Sequence, residues 1–402
     1  MSAHDFRAVA FPARLYSGLN ALEQLPAEVE RARAKRAFVV CGRTVSRKTP
    51  LVDRIAGLLG GRYAGRYDEM DKDTSLAAVQ AATAAARAAD ADLLIAVGAG
   101  SVIQGTRVVA ILLAETDPIE KLITQYPEHG AAISPRLRAP KLPIVNVLTA
   151  PTTAQNRAGS GVNNPLLDHR MEFFDPKTRP LAVFWDAEAL LTAPVSMLRG
   201  SAGAVYWRAA MNLAATDLPP LVEGDRLQAW RLCQRALPRI DDPADWQARA
   251  DLCAAAWLHN RESDVGGMAV RNTWVARAVY AFGTALINKH AQIGQGQAYA
   301  AMTPAAMRAL GARDLEGHTR LAEAMGVWSG TESREIVPER VAAGLEQVFG
   351  GLGMATRLSA LGFPRESLAT VLEHSLKNFN ADPKREFVRE RPALEAALAA
   401  AW

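Results

Sequence analysis

From about residue 8 to residue 180, short apolar runs alternate with alanine-rich helical stretches, and few folds accept that alternation. It is the sequence form of βαβ units around a parallel sheet. Arg36-Ala-Phe-Val-Val-Cys41, Asp92-Leu-Leu-Ile-Ala-Val97 and Leu142-Pro-Ile-Val-Asn-Val-Leu148 read as buried strands, with a helix over Leu76–Ala89 between the first two. After Asp186 strand-like runs disappear. Apolar residues then recur three and four apart over Ala248–Leu258, Val275–Ala291, Pro304–Gly311 and Arg340–Leu352, as in amphipathic helices. The expected architecture is α/β plus all-α: a Rossmann-like parallel-sheet domain over residues 1–186 and a helical domain over 187–402.

Length supports two domains, since 402 residues exceed one ordinary core. A 49% hydrophobic and 22% charged chain lies in the globular range, which excludes disordered and fibrous classes. Lys and Arg exceed Asp and Glu by only 46 to 42, without a block of like charge, so no nucleic-acid surface is expected. Residues 1–11 hold Asp5 and Arg7 and no signal-peptide pattern, and every apolar stretch falls short of a membrane span. Cys41, Cys233 and Cys253 lack metal-type spacing and read as reduced core thiols of a cytoplasmic protein.

The chemistry-bearing turn is Ile95-Ala-Val-Gly98-Ala99-Gly100-Ser101, a strand that runs through glycines into a helix over Val102–Leu113. Glycines there let backbone amides and the helix N-terminus approach a phosphate. A second polar turn, Thr149-Ala-Pro151-Thr152-Thr153, follows the third strand at the edge of the sheet where α/β proteins bind ligands. Either turn also has a ligand-free reading, as a tight connection or a threonine cap. After Cys41 the chain reads Gly42-Arg43-Thr44, with Arg47 and Lys48 close behind and no acid until Asp53. Basic residues in place of a ribose-binding carboxylate favour NADP(H) over NAD(H).

Taken in order, these pieces resemble the iron-containing (group III) alcohol dehydrogenase family, which includes maleylacetate reductases and shares its architecture with dehydroquinate synthase. The family's Gly-Gly-Gly-Ser turn is matched by Gly98-Ala99-Gly100-Ser101, and its Pro-Thr-Thr turn by Pro151-Thr152-Thr153. Met171–Pro176, Ala182–Asp186 and Asn378–Arg385 extend the resemblance over most of the chain. It implies a dinucleotide-binding first domain, an active-site cleft between the two domains, and an NAD(P)-dependent oxidoreductase acting on a small molecule, as a homodimer or larger.

The departures gather where that family binds its metal. Its Asp-Ala-x-x-His run is matched by Gly203-Ala-Val-Tyr-Trp207, and its two later histidines by Ala281 and Gln295. Such a set lacks the three or four donors a divalent metal needs, so no metal is expected. The family's Asp-x-x-Lys after the glycine turn reads Gln104-Gly-Thr-Arg107, and the stretch after the threonines lengthens to Gln155-Asn-Arg157-Ala-Gly-Ser160. Arg170, Tyr206, Trp207, Tyr280 and Gln295 become the candidate catalytic residues. Arg208 and Lys289 are further candidates to act on a developing oxyanion, and His290 is a candidate to line the cleft. The expected activity is metal-independent reduction of a carbonyl or activated C=C in a polar substrate. A repurposed member that binds a nucleotide or metabolite as a partner subunit is the alternative, and a lyase is a third reading.

Overall fold

The computed structural model describes residues 6–127, 132–167, 169–216, 218–264, 273–290 and 292–402. Six strands form one parallel sheet: β1 (Arg14–Gly18), β2 (Ala37–Cys41), β3 (Tyr63–Tyr67), β4 (Leu93–Gly98), β5 (Ile144–Leu148) and, after a separate antiparallel pair, β8 (Ala182–Asp186). Their spatial order is β1-β8-β5-β4-β2-β3, and the separate pair is β6 (Gly159–Val162) with β7 (Met171–Phe174).

Strands β2, β4, β5 and β8 are buried at every residue, which explains their unbroken apolar runs. Helices α1 (Leu25–Arg31), α2 (Arg43–Lys48) and α3 (Leu51–Leu59) precede β3, while α4 (Leu76–Ala88) and α5 (Gly100–Ala114) flank β4 and a short α6 (Ile119–Leu122) follows. Leu51 and Ile55 of α3 pack with Val39, Cys41 and Val97 on one face of the sheet; Val79 of α4 and Val109 of α5 pack with Phe38, Val40 and Ala96 on the other. The connections thus leave β2 and β4 toward opposite faces, which makes the gap between these neighbours a topological switch point.

Every later element is helical: α7 (Ala187–Leu191), α8 (Val195–Ala214), α9 (Glu223–Ala236), α10 (Trp246–Asp264), α11 (Trp274–Lys289), α12 (Gln295–Leu310), α13 (Leu315–Met325), α14 (Val337–Gly351), α15 (Leu368–Ser375) and α16 (Arg391–Ala400). The helix expected from Pro304 instead starts at Gln295 and carries Pro304 inside it. Proline there removes one backbone bond, and the burial of α12 among α8, α11, α14 and α16 outweighs that loss. Ala291, the last residue of the helix expected over Val275–Ala291, lies outside the described residues.

Helix α10 joins the two halves. Its Cys253 belongs to the core of the sheet, while Ala255 and Ala256 belong to the core of the helices. All three cysteines are free and buried.

Candidate active site

The glycine turn sits at the carboxyl end of β4. A β-carbon on Gly98 would lie 2.6 Å from Cγ2 of Val102, so only glycine lets α5 start this close to the strand. Ala99 precedes the helix in an extended conformation and no side chain caps the first turn of α5, leaving amides there to face a ligand. The Ser101 hydroxyl donates to the Lys72 carbonyl, and Thr74 Oγ1 donates to the Ser101 carbonyl at 3.1 Å. Ser101 thereby fixes the turn against the loop before α4.

The second polar turn comes to the same place. Thr149 N donates to the Gly98 carbonyl at 3.1 Å, and Thr152 Oγ1 lies 3.2 Å from where a β-carbon on Gly100 would stand. Thr152 Oγ1 also accepts from Ala154 N at 3.1 Å. The Thr153 carbonyl accepts from Asn260 Nδ2 at 2.8 Å, which ties the turn to α10.

Gly42 occupies the matching position at the end of β2, the strand beside β4. Along the chain no acid follows Gly42 before Asp53, but the fold brings Asp68 and Glu69 to this turn. Residues 68–70 cross the turn: Met70 N donates to the Cys41 carbonyl at 3.1 Å, Glu69 pairs with Arg43 at 3.3 Å and with Arg47 at 3.1 Å. Asp68 lies 3.6 Å from Arg47 and accepts from Ser46 Oγ at 2.9 Å. Burial pushes the Asp68 carboxyl up, but the Ser46 hydrogen bond and Arg47 outweigh it and hold it below the usual range. Thr44 is exposed, on α2.

Several positions that depart from the resembled family's pattern build a hydrogen-bonded lattice, part of which joins β5, β8 and α10. Gln155 is fully buried: its carbonyl accepts from Asn146 Nδ2 at 2.7 Å, its Oε1 from Trp185 Nε1 at 2.8 Å, and its Nε2 donates to the Cys253 carbonyl at 2.8 Å. Arg107 is buried in α5 and donates to the Arg157 carbonyl, while its Nε and Nη2 have no partner. Burial, with Arg157 and Arg179 nearby, pulls the Arg107 guanidinium down to about 9. Gln104 accepts from Gly161 N at 3.0 Å, and Arg170 reaches the Gly161 carbonyl at 3.4 Å. Burial lowers Arg170 as well, against the fields of Asp73 and Asp71.

On the helical side, Trp207 stacks on Tyr299 with ring centroids 3.9 Å apart, and Gln295 Nε2 donates to Tyr299 Oη at 2.9 Å. Burial raises Tyr299, and the field of Tyr280 adds to it. Tyr280 acts likewise on Tyr126, a half-buried ring stacked on Phe379 at 5.0 Å. Gly203 lies under Met354, whose Cε would be 2.5 Å from a β-carbon there. Among the described residues, no three His, Cys, Asp or Glu side chains form a metal-binding group.

The structure therefore gathers Gly98, Ala99, Gly100, Ser101, Thr149, Thr152 and Thr153 at one turn, and Trp207, Tyr280 and Gln295 around Tyr299. Arg170 joins Gln104 on the sheet side. Tyr206 is not brought to either group, because the helix turns successive side chains by about 100°: it packs against Trp230 at 5.4 Å and Phe349 at 6.0 Å in the helical core. His290 ends α11 against Phe363 at 4.7 Å, and Lys289 is exposed. Sequence reasoning missed Tyr299, one helical turn after Gln295, and passed over Arg107 and His259 as site residues. The i,i+4 spacing of Gln295 and Tyr299 was the available signal.

Residues 12–187 match the family described as iron-containing alcohol dehydrogenase. The chain is 29% identical over 256 residues to maleylacetate reductase 2 of Cupriavidus pinatubonensis, a stretch covering 63% of this chain and 62% of that protein, less than two thirds of its length. It is 24% identical to the maleylacetate reductase of Burkholderia cepacia over 97% of this chain and 95% of the other. The NADH-dependent butanol dehydrogenase A of Thermotoga maritima shares the fold, with a TM-score of 0.83 at 19% identity over 100% and 99% of the two chains. Residues 12–187 thus match the iron-containing alcohol dehydrogenase family, and the chain is similar to maleylacetate reductases over most of its length.

Proposed function

We propose that the protein is an NAD(P)H-dependent reductase acting on a carbonyl or activated C=C of a polar organic substrate, with NADPH the favoured cofactor and without a catalytic metal. The observation that carries this reading is the pair of glycine turns at Gly42 and Gly98, side by side on β2 and β4 at the switch point of the sheet. Ligands of open α/β sheets bind in the crevice outside such a point.

The first turn of α5, with the Thr152 hydroxyl opposite Gly100, would take the pyrophosphate. Arg43 and Arg47, beside Gly42, would take a ribose phosphate, exchanging Glu69 for it. Bound there, the cofactor supplies hydride.

The residues matching the family's metal positions do not fit a metal. Gly203 offers no donor and is covered by Met354, Trp207 is committed to its stack with Tyr299, and Ala281 has no donor atom. Gln295 contributes one amide, already donating to Tyr299. Charge developing on the substrate would instead meet the polar groups of the two walls, Arg170 from the sheet side and Tyr280 and Gln295 from the helices.

Titration of chelator-treated protein with NADPH and NADH tests the proposal. Binding of NADPH that chelator leaves unchanged, tighter than NADH, followed by its oxidation with keto or enone substrates, is the expected result. Failure of both nucleotides to bind would overturn it, leaving a repurposed scaffold.

A further inference from the structure

Arg107 on α5 is a buried cation without a counter-ion. It is 2% exposed, its Nη1 donates to the Arg157 carbonyl, and its Nε and Nη2 have no partner among the described residues. The charged groups whose fields reach it are Arg157 and Arg179, and both are positive. Burial and these fields draw the guanidinium down to about 9, which still leaves it charged at neutral pH. Buried charges are normally paired, and one left alone is costly.

The fold brings two more unpartnered donors to this part of α5. Gln104 accepts from Gly161 N at 3.0 Å, and Arg107, one turn further along the same helix face, holds the Arg157 carbonyl. Residues 157–161 therefore run along α5, with Ser160 between the two anchors. The pleat of β6 turns Ser160 inward with Val162, which shares a core with Val108 and Val109 of α5; the Ser160 hydroxyl is buried there without a partner among the described residues. Arg179 closes the other end. Its Nη1 donates to the Asn156 carbonyl at 3.0 Å and its Nη2 pairs with Asp264 at 3.0 Å, which leaves its buried Nε unpartnered as well.

We propose that Arg107, Ser160 and Arg179 bind a small monovalent inorganic anion, of the size of chloride, inside the first domain. The Nε and Nη2 groups of Arg107 share one edge of its guanidinium and can close on a single ion, with the hydroxyl and the second arginine completing the shell. One uncompensated charge calls for one negative charge, and a dianion would lose more on leaving water than the site returns. Arg179 also borders a cavity of about 330 Å³ under residues 8–13, through which an ion can enter; the two aspartates on its wall are each paired with an arginine, Asp264 with Arg179 and Asp225 with Arg261. The site lies about 10 Å along α5 from Gly100, so it takes no part in hydride transfer. Its parts are positions where the chain departs from the resembled family: Arg107 ends the run Gln104-Gly-Thr-Arg107, and Ser160 ends the lengthened stretch from Gln155.

The test is thermal unfolding of the full-length protein in sodium gluconate, with sodium bromide or sodium sulfate replacing it at constant ionic strength. Bromide is expected to raise the melting temperature saturably; at about ten times its dissociation constant the folding equilibrium should shift by about tenfold, and sulfate should show no such saturation. R107M, which removes the lone charge, should be at least as stable as the wild type in gluconate and should not respond to bromide. S160A should fold normally and bind bromide about tenfold more weakly. A bromide-soaked crystal should show an anomalous peak against the Arg107 guanidinium. No saturable bromide effect in the wild type, a response that R107M retains, or a soaked crystal without bromide at Arg107 would each overturn the site, and an equal saturable response to sulfate would overturn its monovalent ligand.

Discussion

The indole of Trp207 lies nearly parallel to the ring of Tyr299, centroids 3.9 Å apart at an interplanar angle of 29°. The contact joins α8 to α12 at Trp207, the residue that the sequence resemblance sets against a metal-binding histidine of the family. Both residues are buried.

Restoring a histidine alone should therefore cost stability without restoring a metal site. W207H is expected to lower stability by about 2–4 kcal/mol, the range for shrinking a large buried aromatic. Dialysis against zinc should leave no stoichiometric metal bound, because Gly203 under Met354 still supplies no donor. Urea unfolding and metal content of the variant check the two halves of the prediction; zinc at one per chain would refute the second.

Gly98 controls how α5 meets the sheet. A methyl group there would stand 2.6 Å from Val102 Cγ2 and push the first turn of α5 away, straining the bond from Thr149 N to the Gly98 carbonyl. G98A is expected to cost about 1–3 kcal/mol and to weaken NADPH binding at least about tenfold. The double variant G98A/V102A should recover part of the stability, which thermal unfolding reads directly.

These two sites show what was legible beforehand. The Gly98 turn could be read because strand, turn and helix are contiguous, and the buried strands announced themselves as apolar runs. Strand β3 could not, since Tyr63-Ala-Gly-Arg-Tyr67 is a half-buried edge with Arg66 outward and Gly65 at φ 122. The Trp207–Tyr299 stack and the Glu69 contacts to Arg43 and Arg47 depend on tertiary approach between distant segments, for which a single sequence carries no periodic signal. Tyr206 and Trp207 looked equivalent as neighbours, yet a helix turns adjacent side chains to different faces, and only Trp207 meets Tyr299.

The Glu69 pairing makes cofactor choice adjustable. R43A/R47A should weaken NADPH binding about tenfold or more with NADH little affected, and the NADPH loss should shrink at high salt as screening removes the same attraction. E69Q should act in the opposite direction, strengthening NADPH binding by releasing both arginines. Nucleotide titrations at low and high ionic strength separate these outcomes; equal losses for NADPH and NADH in R43A/R47A would remove the arginines from phosphate recognition.

His259 makes stability depend on pH in a definite direction. Burial, Arg208 and Arg157 keep its folded-state pKa well below the unfolded value of about 6.5, so over the interval between them the unfolded chain binds a proton that the native one does not. The stability tied to the neutral imidazole is fully present above the unfolded value and is lost as pH falls below it, by up to about 1.4 kcal/mol per pH unit. Urea unfolding of the ligand-free protein at pH 7.5, 6.5 and 5.5 should show this decline in the wild type and a shallower one in H259Q. Identical slopes for wild type and H259Q would show that the native imidazole is protonated over that range.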